Sequence, residues 1–203
     1  MPGLYGTDQD PLPRFLPARM PKPPSTLFAV ALVAITLIGP LSIHLFLPAL
    51  PQVKDAFGIS DGLAQFTFSI TLFTMAGTTL IYGALSDHYG RRPVLLSGLV
   101  LFLVGIALAA LAPTVELFIV GRLIQAIGAG CGVSLARAIA RDAYGPERLV
   151  KAIAYLTMAY TLGPMISPPV GGLLVDHFGW RSIFWFALTA GCFILICAVV
   201  TLH

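Results

Sequence analysis

Five residues able to form or shape an ionic contact, Gly83, Asp87, Gly90, Arg91 and Arg92, fall within ten positions between two long apolar runs. Asp87 can cap the helix that follows it or pair with Arg91 or Arg92. Gly83 allows close packing at the end of the preceding helix, and Gly90 can take a positive φ in a turn. A tight turn serving only to keep positive charge on one side of a membrane would not need this combination. Nor would it recur 89 positions later, where Gly172 to Arg181 repeats the pattern G-x-L-x-D-H-[YF]-G-x-R. Two further ionisable side chains, His44 and Arg122, lie well inside apolar runs, with Gln125 one helical turn beyond the arginine. A charge-bearing residue at such depth suggests a transport or proton pathway. The structural alternatives are a histidine facing lipid headgroups and an arginine satisfied by the carbonyls of broken helices. If its helix starts at Thr114, Arg122 sits about 12 Å along it, at about 1.5 Å per residue.

The elements that position these residues are membrane spans. Only 10% of the 203 residues are charged and 57% are hydrophobic, against roughly 25% charged in soluble domains. The expected fold is an all-α membrane protein with six transmembrane helices. The spans are read at Leu27–Phe46, Gly62–Leu85, Val94–Leu111, Val115–Ile139, Ala152–Val175 and Ile183–Leu202. Gly39-Pro40 interrupts the first span and Pro48 closes it, leaving 51–61 as a loop; Thr114 is the expected N-cap of the fourth. Three crossings separate the two motif copies, so they face opposite sides, the mark of two inverted three-helix repeats.

Residues 1–24, with seven prolines, read as a disordered cytoplasmic tail ahead of a bundle over 25–203. With the N-terminus cytoplasmic, inside segments carry Arg14, Arg19, Lys22, Arg91, Arg92, Arg137, Arg141, Arg148 and Lys151; outside segments carry Lys54 and Arg181. That bias places both termini in the cytoplasm. Gly128-x-x-x-Gly132 reads as a packing face, and Phe184-Trp185-Phe186 as an interfacial anchor. Cys131, Cys192 and Cys197 match no metal spacing and read as buried apolar side chains. The sequence has no nucleophile–base pair, metal-ligand cluster or phosphate loop, so neither an enzyme nor a bound metal is expected. The basic residues follow the membrane side, which leaves no nucleic-acid-binding pattern.

The segment G-x-L-x-D-x-x-G-R-R resembles the signature loop of the major facilitator superfamily. Arg122-Leu-Ile-Gln125-Ala-Ile-Gly128 resembles its fourth-span R-x-x-Q-G-x-G element, with Ala126 in place of Gly. Gly163-Pro164-Met-Ile-Ser167-Pro168-Pro-Val-Gly171-Gly172 resembles the fifth-span element of drug/proton antiporters, with Ser167 at a Gly position. Leu47-Pro-Ala-Leu-Pro51 and Arg141-Asp142-Ala-Tyr144 are similar to the Bcr/CflA group of multidrug and chloramphenicol exporters. The resemblance implies half of a twelve-span fold in a bacterial inner membrane. It implies proton-driven efflux of small molecules without a cofactor, with membrane lipid and a missing C-terminal half, or a second copy, as partners. A half-transporter working as a homodimer and a truncated, non-transporting membrane protein are the alternatives.

By the same resemblance, Asp87, Arg91 and Arg92 would clasp neighbouring helix ends, with Asp142 as an acceptor. The fifth-span glycines and prolines would bend that helix and close it against the other half. Bcr/CflA relatives carry Asp in the first span where this chain has His44, and no span interior here holds Asp or Glu. Proton coupling would therefore use His44, whose imidazole titrates near neutral pH, or a carboxylate supplied elsewhere.

Overall fold

The computed structural model describes residues 25 to 201, all helical apart from short turns. The Pro-rich tail with Arg14, Arg19 and Lys22 lies outside the described residues. Six stretches are long and apolar enough to cross a membrane: Thr26–Phe57, Asp61–Tyr89, Arg91–Leu111, Val115–Ala143, Pro146–Phe178 and Ser182–Thr201.

The first span is broken into helices α1 (Thr26–Thr36) and α2 (Ile38–His44), a 3-10 turn at Leu47–Ala49, and α3 (Leu50–Phe57). Ser25 caps its start, accepting from the Phe28 amide at 3.2 Å. Pro40 has no amide to offer the Thr36 carbonyl one turn back, so the helix loosens around Leu37. Pro48 does not close the span. It and Pro51 fall in the first turns of new helical segments, where a missing N–H costs nothing. Residues 51–57, expected as loop, are therefore helical, and Gly58 stops them at φ 61°. Lys54, on this segment, pairs with Asp61 at 2.6 Å.

The charged motifs are not loops either. Helix α4 (Asp61–Tyr89) runs through Gly83, Asp87 and His88, and α5 (Arg91–Leu111) starts two residues after α4 ends. Gly90, at φ 92° and ψ 150°, makes the whole reversal. The second copy behaves alike: α8 (Pro146–Phe178) ends at Gly179, φ 78°, and α9 (Ser182–Thr201) follows. Side chains with a Cβ are strained at such angles, so one glycine replaces a loop. Between them lie α6 (Val115–Ala129) and α7 (Cys131–Ala143), which together form the fourth span. Thr114 caps α6 as expected, accepting from the Leu117 amide at 3.4 Å. The basic stretch after α7 is also mostly helical, since Tyr144 and Gly145 alone separate it from α8.

The two motif copies sit at opposite ends of the bundle and hold it reciprocally. Arg92, at the start of α5, donates to the Val199 carbonyl near the end of α9 at 3.4 Å. Arg181, just before α9, donates to the carbonyls of Ala110 and Ala112 at the far end of α5, at 3.2 and 3.1 Å. Each arginine therefore meets the negative, carbonyl-bearing end of the antiparallel partner helix. This is the packing expected of two inverted three-helix repeats.

Helices α5 and α6 make the tightest seam, through glycines seven apart on each. A Cβ added to Gly105 would stand 2.5 Å from Gln125 Cα and 2.7 Å from the Gly121 carbonyl. One added to Gly128 would stand 2.6 Å from both Phe102 Cα and the Gly98 carbonyl. Gly128 and Gly132 do serve packing, but against different neighbours, since Gly132 abuts the Ile35 carbonyl of α1. Backbone cannot yield as a flexible side chain can, so Gly105→Ala should destabilise the bundle by about 2 kcal/mol through overpacking. Unfolding in a denaturing detergent titration measures this; an unchanged midpoint would mean that the helices stand further apart.

Phe184 is not an interfacial anchor. It is 2% exposed and packs with Phe46, Phe118 and Trp180, while Trp185 and Phe186 remain on the outer face. Cys131 is buried as expected, whereas Cys192 is exposed and Cys197 half-buried, because α9 turns that side away from its neighbours.

Candidate functional site

Three constellations gather the polar residues. The first joins the ends of α4, α5 and α7. Arg91 pairs with Asp87 one turn before it, donates from Nε to Asp142 Oδ2 at 3.0 Å, and donates from Nη1 to Ser86 Oγ at 2.5 Å. Ser86 is buried, while the two carboxylates are largely exposed. The guanidinium fork thus spans three helix ends, a geometry that a point-like ammonium cannot copy. Arg92, expected in the same clasp, instead points to α9 as described above. Sequence reasoning misses Ser86; its position immediately before Asp87, on the buried side of α4, is the signal that could have shown it. A Cβ added to Gly83 would meet nothing within 4 Å, so this glycine does not pack tightly inside the bundle.

The second constellation surrounds Arg122, which is 1% exposed. Its Nη1 donates to Gln125 Oε1 at 2.6 Å and to the Ser42 carbonyl at 3.1 Å. The second bond uses a carbonyl near the break in the first span, so a broken helix supplies one of the acceptors of this arginine. Its Cζ lies 4.3 Å from the Phe46 ring centroid and 5.9 Å from that of Phe184. The aromatic faces offset part of the cost of burying the cation. No carboxylate pairs with it among the described residues, and its Nε and Nη2, with Ser42 Oγ, lack a hydrogen-bond partner there. His44 ends α2 and is half-buried. Arg122 lies beside both rings, which also pack on each other at 6.1 Å between centroids. Sequence reasoning misses the rings because they come from segments far apart in the chain, the first span and the start of α9.

The third constellation is the fifth-span motif. Gly163, Ser167 and Gly171 lie on one buried face of α8, four residues apart. A Cβ on Gly163 would stand 2.8 Å from Pro40 Cγ, and one on Gly171 would stand 2.6 Å from the Leu45 carbonyl and 3.1 Å from Pro48 Cγ. The small face thus receives the proline-broken first span. Helix α8 stays continuous through Pro164, Pro168 and Pro169. Gly172, like its repeat mate Gly83, has open space beside it.

The sequence model of the Major Facilitator Superfamily matches residues 30 to 203. The multidrug resistance protein MdtL of Escherichia coli and that of Escherichia fergusonii are each 33% identical over 175 residues, covering 86% of this chain and 45% of theirs. The crystal structure of the human organic anion transporter MFSD10 (TETRAN) matches with a TM-score of 0.70 and 26% identity, over 90% of this chain and 48% of that one. The chain therefore spans about half the length of the relatives it matches. With a six-helix bundle, the helix-end arginine clasp and a match over most of its length, this chain belongs to the Major Facilitator Superfamily.

Proposed function

We propose that the chain forms the N-terminal six-helix half of a proton-coupled exporter of small drug-like or chloramphenicol-like molecules, of the Bcr/CflA type. It would lie in a bacterial inner membrane with both termini cytoplasmic. The observation that carries this reading is the three-way contact of Arg91 with Asp87, Ser86 and Asp142, which ties together helix ends that must separate for a pathway to open there. Its partly exposed ion pairs are individually weak, so the contact can be made and broken in each cycle. The kinship with multidrug resistance proteins supports efflux, while one structural relative is titled an organic anion transporter, so kinship leaves the charge of the substrate open.

Gly83 and Gly172 support a partner bundle. Both occupy α4 or α8 at half-covered positions, and both leave room for a close-packed helix. The same two helices expose large apolar side chains, among them Phe73, Leu80 and Met165. The partner would be the remaining six-helix half, or a second copy of this one, with lipid around the assembly.

The proton gradient would supply the energy without a cofactor. Among the described residues no Asp or Glu lies in the interior of a span, and His44 brings there the side-chain type whose unperturbed charge change falls nearest to neutral pH. Protonation is favoured from the acidic outer side and release toward the cytoplasm, because a raised proton concentration fills the imidazole. In everted vesicles carrying this chain with its second half, an imposed pH gradient should drive chloramphenicol uptake. His44→Gln should cut the stimulation by the gradient about tenfold while leaving equilibrium drug binding unchanged. Full stimulation in that variant would move the coupling site elsewhere; absence of any uptake by the parent would sink the export reading.

A further inference from the structure

An apolar groove runs between the first span and α8. Its deeper part, about 450 Å³, is lined by Leu37 and Leu41 on one side and by Met158, Leu162 and Ile166 on the other. A second cavity of about 310 Å³ continues it toward the start of α8, and the two share Val33 and Tyr155. The second cavity has a different character. Tyr144, Arg148, Lys151 and Tyr155 converge on it above a floor of Ala29 and Leu32.

Together these volumes match those of small-molecule sites. The polarity runs along one axis, from apolar wall to a pair of cations with two phenol groups. Arg148 and Lys151 enter no ion pair among the described residues, although Glu147 is next to one and a helical turn from the other. The hydroxyls of Tyr144 and Tyr155 likewise make no hydrogen bond there, so four donors face the mouth unused. A bias of positive charge toward one side of the membrane explains why basic residues lie at this level. It does not explain their convergence with two tyrosines on the open end of an apolar groove.

The rest of the interior points the same way. Among the described residues no carboxylate lies in the interior of a span to neutralise a cationic guest, and the deep charge that is present, Arg122, is itself positive. An organic cation entering here would lose hydration without gaining a counter-charge.

We propose that this groove binds an amphipathic organic anion, its apolar body lying between the first span and α8 and its carboxylate or sulfonate held by Arg148 and Lys151. The proposal rests on the transporter reading and adds molecules with an anionic end to the substrates that reading covers. It commits to a soluble small molecule rather than membrane lipid, since two cations and two phenol groups gathered at one end of a short apolar groove suit one compact charged group on an apolar body.

Two dyes with one ring system and opposite charge provide the test: fluorescein, an anion, and rhodamine 6G, a cation. Anisotropy titrations would use the 203-residue chain in phosphatidylcholine nanodiscs, corrected for empty discs. Fluorescein should bind at least tenfold tighter than rhodamine 6G. Arg148→Gln with Lys151→Gln should weaken fluorescein binding by about tenfold or more, at roughly fivefold for each charge removed near the membrane surface. Val33→Trp, which fills the junction of the two cavities and leaves both charges in place, should weaken it as well. Circular dichroism and elution volume establish that each variant is folded before its titration is read.

Equal or tighter binding of rhodamine 6G would overturn the proposal, as would fluorescein binding that ignores both the charge and the filling variants. Displacement of fluorescein by phosphatidylglycerol added to the discs would assign the groove to lipid and overturn it too. None of these results touches the export reading, because uptake of a neutral drug in vesicles is measured separately. Conversely, intact dye binding with no export would leave the groove standing and remove the transporter.

Discussion

Arg91→Ala, in a transporter containing both halves, should lower the export rate at least tenfold and leave membrane insertion and helix content unchanged. Each of its two partly exposed ion pairs is worth about 1 kcal/mol or less, and the bond to buried Ser86 about 1.5 kcal/mol, being charge-assisted. Losing all three removes about 3 kcal/mol from the state in which α4, α5 and α7 are clasped, or roughly a hundredfold in population. A carrier held in one state turns over slowly, whichever state it is. The variant should therefore also show increased labelling, by a permeant thiol reagent, of a cysteine placed at Ser86, the buried member of the group. Arg91→Lys should recover only part of the rate. Its ammonium can face one carboxylate but cannot direct Nε to Asp142 while Nη1 serves Ser86. Full rate in Arg91→Lys would show that charge suffices and that the fork geometry is incidental. Full rate in Arg91→Ala would reduce the contact to a surface ion pair.

The physical reason that much of this fold is legible in the sequence is that lipid allows few solutions. Apolar runs of span length must be helices, so six spans and their inverted arrangement follow from the runs and from the spacing of Gly83 and Gly172. Boundaries are harder, because charged residues such as Lys54 and Asp87 suggest loop when helices can carry them past the apolar layer. Gly90 and Gly179 show why: a glycine at positive φ turns the chain, alone at Gly90 and with two further residues after Gly179. The seven-residue glycine spacing on α5 and α6 is readable in the sequence, yet its meaning emerges only once the two helices are seen to pack. Asp142 enters through family resemblance, not through spacing, since nothing local links it to a residue 51 positions earlier.

Arg122 marks the limit of that legibility most clearly. Its depth is evident, but whether it faces a pathway or a packed interior depends on rings contributed by the first and last spans. The structure places it inside, against Phe46 and within reach of Phe184, which separates two roles that the sequence alone leaves merged. As a packing element, the side chain fills volume, and as a cation it fixes Gln125 and the loosened carbonyl at Ser42.

Two substitutions divide those roles. Arg122→Ala should destabilise the bundle by about 4 kcal/mol, by opening a void beside the rings and leaving Gln125 Oε1 and the Ser42 carbonyl unpaired. Arg122→Met keeps most of the volume and ends the cost of burying a charge whose Nε and Nη2 have no acceptor among the described residues. Replacing a buried charge with an apolar side chain is often close to neutral, so this variant should unfold within about 1.5 kcal/mol of the parent in a denaturing detergent titration. If it also exports at the parental rate, the guanidinium has no part in transport. If it is folded and inactive, the positive charge itself is required, and the break in the first span is held in its working shape by Arg122. A fully stable Arg122→Ala would contradict the packing itself, because a void of that size cannot be free of cost in a close-packed interior.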